Sequence, residues 1–133
     1  PLKTEKLVCL RNDKKLAIFN GGIFSVLQDS FMSKAKRDCV SLRIRSEDFS
    51  KRAAIRAYTR KEFFIGGYEA IDWRILKNTH QFTWGYTLTT HKSQGSQWEN
   101  VMIFDESNIF REHSRNWLYT AITRASERLT LIK

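Results

Sequence analysis

The chain opens with short apolar runs separated by turn residues. Lys6-Leu7-Val8-Cys9-Leu10-Arg11 reads as a strand and Asn12-Asp13-Lys14-Lys15 as a turn. Leu16-Ala17-Ile18-Phe19 reads as a second strand, and Ile23-Phe24-Ser25-Val26-Leu27 as a third. Between them Asn20-Gly21-Gly22 tolerates positive φ at little cost. The first thirty residues therefore predict a β-meander. From Cys39 to Arg45 the pattern alternates: Val40, Leu42 and Ile44 on one face, Ser41, Arg43 and Arg45 on the other. Ser46 offers an N-cap, with Glu47 and Asp48 suited to a first helical turn. A helix is expected from Phe49 to Phe64, with Phe49, Ala53, Ala57 and Tyr58 inside and Lys51, Arg52, Arg56, Arg60 and Lys61 outside. Gly66-Gly67 ends it, and Tyr68 to Gln81 reads as mixed structure.

The last fifty residues change character. A strand is expected over Gly85–Thr90, followed by the polar loop His91-Lys92-Ser93-Gln94-Gly95-Ser96. Val101–Phe104 reads as a buried strand, Arg111–Ser126 as a helix and Leu129–Ile132 as a final strand. The inner stripe of that helix is Trp117, Leu118, Ala121, Ile122 and Ala125. This order predicts part of an α/β layer with a parallel sheet. Ligand groups in such sheets gather beyond the carboxyl ends of strands, and the two polar clusters of this chain are expected there or at a helix end. The domain division expected is 1–83 and 84–133.

Composition narrows the partners more than the fold. The 133 residues are 41% hydrophobic and 28% charged, ordinary for a globular chain rather than a disordered one. The net charge is +9, with ten basic and three acidic residues between Lys34 and Lys61. Such an excess attracts polyanions, nucleic acid first, and the 34–61 block reads either as a DNA-facing surface or as a solvated face. Cys9 and Cys39 read as reduced thiols, Cys9 within the core. His80, His91 and His113 have no partner at metal-ligand spacing, so no metal site is expected. No apolar run approaches the roughly 20 residues that span a bilayer, and no membrane role is expected. Pro1 in place of Met reads as excision from a longer protein. Trp117 reads as core and Trp98 as core or cleft wall rather than as base-stacking groups, while Trp73 and Trp84 stay open between stacking and core, with core favoured.

Two stretches carry the chemistry. Thr89-Thr90-His91-Lys92-Ser93-Gln94-Gly95-Ser96-Gln97-Trp98-Glu99 gathers hydroxyls, an imidazole, an ammonium and a glycine turn. Such groups donate hydrogen bonds to phosphate oxygens without reading bases. In Trp117-Leu118-Tyr119-Thr120-Ala121-Ile122-Thr123-Arg124-Ala125 one arginine interrupts an apolar, small surface. A charge so placed needs a partner, either a carboxylate or a phosphate that guanidinium grips bidentately.

These stretches resemble motifs V and VI of superfamily 1 helicases, most closely the RecD-like branch. Motif V runs from Gly85 to Val101, and motif VI from Trp117 to Ala125 with the Arg128-Leu129 strand after it. Val8-Cys9-Leu10-Arg11-Asn12-Asp13 and Ile18-Phe19-Asn20-Gly21-Gly22 resemble the start of the small SH3-like barrel inserted in that family's second motor domain. The resemblance implies an α/β fold: a partial RecA-like parallel sheet with helices, carrying the inserted barrel and a basic helical segment. It implies an ATP-dependent DNA helicase that translocates on single-stranded DNA and unwinds duplex, with ATP and Mg²⁺ bound by the full-length protein. No Gly-x-x-x-x-Gly-Lys-Ser/Thr occurs in the chain. The amino-terminal RecA-like domain is therefore the implied partner, and the fragment alone is expected to bind neither ATP nor Mg²⁺ and to be inactive.

Residue by residue, the resemblance makes Arg124 the catalytic arginine that reaches the γ-phosphate. Gly95, Ser96 and Gln97 join it as ATP-binding positions, with Gln97 standing where many members carry a glutamate near the ribose. Thr90, His91 and Lys92 hold the single-strand backbone. The implied location is cytoplasmic, bacterial or phage-type, with nuclease or replication and repair proteins as further partners. Two rivals remain: a non-enzymatic single-strand-binding module, and the helicase subunit of a helicase–nuclease resembling the exodeoxyribonuclease V alpha chain.

Overall fold

The computed structural model describes residues 1–47 and 53–133. The chain divides into two compact units, Pro1–Thr87 and Leu88–Lys133.

The first unit is built on antiparallel strands β1 (Lys6–Cys9), β2 (Ile23–Val26), β3 (Phe31–Met32), β4 (Cys39–Ser46), β5 (Ile55–Arg60) and β6 (Phe82–Trp84). They pair in the order β3-β4-β2-β1-β6, with β5 also on β4. An isolated bridge joins Thr59 of β5 to His80, just before β6, and links the two ends of the run β5-β4-β2-β1-β6. One core fills this unit, with Leu7, Phe24, Leu42, Ile44, Ala57 and Phe82 all buried. The Phe24 and Phe82 rings meet edge to face at 5.3 Å, the arrangement their quadrupoles favour. Cys9 and Cys39 are free and buried, and burial pushes the Cys9 thiol up to about 11.

The alternation holds from Leu42 to Arg45, with Leu42 and Ile44 buried and Arg43 and Arg45 exposed. Ser41, expected on the wet face, is instead buried along with Cys39 and Val40, where β4 has strands paired on both edges. Three other expectations in this unit are corrected. Leu16–Phe19 is not a strand. Asp13 Oδ1 accepts from the amides of Lys15 and Leu16, folding the segment into a turn that leaves one bridge, Asp13 to Ile18. The helix expected over Phe49–Phe64 is instead β5 from Ile55 to Arg60, followed by the short helix α1 (Glu62–Ile65). Ile55, Ala57 and Thr59 alternate, and β5 pairs with β4 from Cys39↔Arg60 to Ile44↔Ile55. Ser46 belongs to β4 rather than capping a helix. Phe49, Lys51 and Arg52, expected on that helix, lie outside the described residues. Gly66 does end α1, at φ 95°. Tyr68–Gln81 holds a 3-10 turn (Tyr68–Ala70) and helix α2 (Trp73–Leu76). Trp73 is 66% exposed, not core.

The strand expected over Gly85–Thr90 is also displaced. It lies at Phe82–Trp84, where Phe82 is fully buried and β6 pairs with β1. Gly85 follows it because an added Cβ would lie 2.8 Å from the Leu7 carbonyl carbon.

The second unit holds two strands, β7 (Trp98–Phe104) and β8 (Ala125–Ile132), paired in parallel from Trp98↔Ala125 to Phe104↔Ile132. Their connection carries a 3-10 segment (Ser107–His113) and helix α3 (Ser114–Ile122). The parallel pair with a crossover helix is the expected arrangement. The helix is shorter than the predicted Arg111–Ser126, because Arg111 takes φ 45° and breaks its amino end. At the other end Ala125 and Ser126 join β8. Nor is β7 buried throughout: Ile103 is, but Met102 and Phe104 are 60% and 62% exposed.

Candidate nucleotide and nucleic-acid site

The Thr89–Gln97 loop is a series of tight turns. Ser93 donates its amide to the Thr89 carbonyl at 3.1 Å and its hydroxyl to the Thr90 carbonyl at 2.7 Å. Its own side chain is buried by this closure. Gly95 has φ 87° with open space where a Cβ would be, so its glycine serves backbone conformation rather than a close approach.

The carboxyl end of α3 faces this loop. Thr120 and Thr123 return their hydroxyls to helix carbonyls, Thr120 Oγ1 to Asn116 at 2.8 Å and Thr123 Oγ1 to Tyr119 at 3.0 Å. Arg124 then leaves the helix and folds back. Its Nε donates to the Thr120 carbonyl at 3.0 Å, and one terminal nitrogen donates to the Ser96 carbonyl at 2.9 Å and the Ser93 carbonyl at 3.4 Å. The other terminal nitrogen donates to Thr123 Oγ1 at 3.1 Å. Gln97 Nε2 donates to the Thr123 carbonyl and the Trp98 amide to the Arg124 carbonyl.

The two motifs are thus stitched together at the amino ends of β7 and β8, beside the carboxyl end of α3. Of the two places expected for the polar groups, beyond the carboxyl ends of strands or at a helix end, the structure uses the helix end. It also answers how the arginine is accommodated. Its partners are neutral oxygens, and among the described residues no carboxylate forms an ion pair with it. Carbonyls at a helix carboxyl end carry partial negative charge and favour a cation, but they leave its full formal charge in place.

The same loop has a second face. Thr90, His91 and Gln94 line a cavity of about 220 Å³ with Phe110, Asn116 and Trp117. Phe110 and Trp117 stack at 5.5 Å with 18° between planes, and His91 lies 6.2 Å from Phe110. Lys92 is exposed and does not line this cavity. Gly95, Ser96, Gln97 and Arg124 belong to the other face.

Phe110, His113 and Asn116 had no place among the predicted site residues. Phe110 and Trp117 stand seven apart, a helical spacing. That spacing reads only as core until the strained turn at Arg111 shows Phe110 lying outside the helix. Asp105 starts the segment by accepting from the Ser107 amide at 3.0 Å, and hydrogen bonds from Ser107 hold its carboxyl below the usual carboxylate range. Among the described residues no cluster of three or more His, Cys, Asp or Glu side chains could hold a metal ion, and no helix is long and apolar enough to cross a membrane.

Residues 85–132 match the family described as the UvrD-like helicase C-terminal domain. An uncharacterized protein of Methanocaldococcus jannaschii is 49% identical over 47 residues, 35% of this chain and 4% of that one. An uncharacterized protein of Acanthamoeba polyphaga mimivirus is 29% identical over 110 residues, 80% of this chain and 21% of that one. The ATP-dependent RecD2 DNA helicase of Deinococcus radiodurans is 47% identical over 45 residues, 33% of this chain and 6% of that one. The chain thus spans only a small part of the curated relatives it matches. Among solved structures, Pif1 helicase from Candida albicans superposes with a TM-score of 0.57 at 17% identity, covering 99% of this chain and 32% of that one. Bacteroides Pif1 bound to single-stranded DNA superposes at 0.53 with 14% identity, covering 97% and 28%. The fold is that of a helicase C-terminal region, and residues 85–132 are similar to a UvrD-like helicase C-terminal domain.

Proposed function

We propose that the chain is part of the second motor domain of an ATP-dependent DNA helicase of the RecD-like branch. In this reading the helicase moves on single-stranded DNA and separates duplex. Residues 84–133 contribute a portion of the RecA-like sheet with motifs V and VI. Residues 1–83 form the inserted SH3-like barrel, a reading supported by the Thr59–His80 bridge that links the outer strands of the first unit. An amino-terminal RecA-like lobe would supply the phosphate-binding loop and the carboxylates for Mg²⁺, for which the described residues offer no ligand cluster.

The observation that carries this reading is the state of Arg124. Its guanidinium is fixed by four hydrogen bonds to neutral oxygens and has no ion-pair partner among the described residues. Guanidinium has five N–H donors, so one remains for an incoming phosphate oxygen. A fixed cation at a nucleotide cleft stabilises the charge that develops on a phosphoryl group in transfer. Engaging further phosphate oxygens would exchange the Ser93 and Ser96 carbonyls for the ligand. That exchange pulls on the loop whose opposite face carries Thr90 and His91, and so ties nucleotide state to grip on DNA. Gln97 donates to Thr123 and keeps its carbonyl oxygen to accept from a ribose hydroxyl.

The test is Arg124→Ala in a protein joining this chain to a RecA-like lobe with a phosphate-binding loop. DNA-stimulated ATP hydrolysis should fall by roughly 10³–10⁵-fold, with ATP affinity less affected. Normal hydrolysis by that variant would refute the assignment.

A further inference from the structure

We propose that the cavity between the Thr90–Gln94 loop and α3 accepts a single unpaired nucleobase, stacked on the Phe110–Trp117 pair. The inference rests on the nucleic-acid reading above and adds to it a contact with bases rather than backbone. No carboxylate, lysine or arginine lines the cavity, and the titratable groups on its wall are the imidazoles of His91 and His113. Its wall is aromatic, with two nearly parallel rings and the His91 imidazole beside them. Its polar groups include the side-chain amides of Gln94 and Asn116, each offering a donor and an acceptor. A flat heteroaromatic ring with hydrogen-bonding edges satisfies both features. Paired donor and acceptor amides also suit more than one base, as a motor that tracks any sequence requires.

The backbone supplies an independent observation. Arg111 holds φ 45° and ψ −115° between Phe110 and Glu112. A bulky residue there is strained, and such strain persists where surrounding structure imposes it, often at ligand sites. Here it ends one helical segment, starts the next, and leaves Phe110 stacked on Trp117. At about 220 Å³ the cavity falls below the roughly 300–1,000 Å³ of ordinary small-molecule sites, in keeping with one ring system rather than a whole nucleotide.

The experiment uses the 133-residue chain and two fluorescently labelled single strands of equal length, one with mixed bases and one with abasic sugars throughout. Both carry the same phosphates, so they are compared at one salt concentration. The base-bearing strand should bind roughly five- to a hundredfold more tightly. That advantage should shrink several-fold in both Phe110→Ala and the exposed-site variant Asn116→Ala, with far-UV circular dichroism reporting that each is folded. Equal binding of the two strands by the unmodified chain overturns the base pocket and leaves single-strand binding standing. An advantage that survives both substitutions also overturns it, by placing the bases elsewhere. Failure of both strands to bind at low salt overturns the pocket and the nucleic-acid reading together.

Discussion

The two units solve the burial problem differently. In Pro1–Thr87 the inward faces of five strands enclose one core, and Leu7, Leu42, Ile44, Ala57 and Phe82 are fully buried. In Leu88–Lys133 the buried hydrophobic residues are Ile103 and Ala121. Met102, Phe104, Leu129, Leu131 and Ile132 all remain more than a third exposed. A parallel sheet is normally covered on both faces, and two strands are marginal in isolation. The first unit is therefore shaped to stand by its own core, and the second to be completed by further packing. Charge divides the same way: seventeen basic against nine acidic residues in the first unit, six against five in the second. The larger basic excess, and with it the stronger diffuse attraction for polyanions, lies on the first unit. Arg124 and the loop carbonyls that hold it lie on the unit with the smaller core.

The largest test of that contrast is to divide the chain. Residues 1–87 should unfold cooperatively in urea, while residues 88–133 should show no cooperative transition by circular dichroism. A sharp transition in the isolated second piece would break the comparison. Matched phenylalanines sharpen it. Phe82→Ala, at a fully buried site, should cost about 3–5 kcal/mol in denaturant midpoint analysis. Phe104→Ala, at a 62% exposed site, should cost less than about 1 kcal/mol.

Smaller effects probe how complete the first core is. Thr59 is fully buried and its hydroxyl has no hydrogen-bond partner among the described residues. Thr59→Val should therefore raise stability by about 1 kcal/mol, read from the same urea curves. His80 gives the smallest effect and a pH signature. Burial holds its pKa below the ordinary 6.5, and its Nδ1 accepts from the Tyr58 amide at 3.1 Å, which requires that nitrogen unprotonated. The unfolded chain then takes up the proton first as pH falls. Stability should decline from about pH 6.5 down to the lower folded value, and His80→Gln should flatten that slope. An unchanged slope in the variant would assign it to other groups.

The cross-strand arginines bear on the same contrast. Arg43 and Arg56 are direct partners in the β4–β5 register, and both are exposed. Like charges directly opposed are destabilising, and among the described residues neither has an acidic partner. Arg56, expected on the outside of a helix, thus joins Arg43 on a sheet face, where the alternating pattern had already put Arg43.

What the sequence determined by itself was local. The period-two alternation of Cys39–Arg45 specified its strand, because one face had to be buried. Gly66 and Gly95 marked turns, because φ near 90° favours glycine there. The residue types of the Thr89–Glu99 and Trp117–Ala125 stretches singled out two segments that the fold then brings together. Tertiary structure decided whatever depended on a distant partner. Ile55–Arg60 satisfies a helical pattern and an alternating one, and β4 selected the strand by offering a free edge. Phe82–Trp84 became a strand in place of the residues after it because β1 pairs there, while Gly85 passes tightly against Leu7. Arg124 found carbonyls of a loop some thirty residues away, a set of partners that no reading of side-chain types could have supplied. Those choices are long-range, and one-dimensional spacing records only the neighbours along the chain.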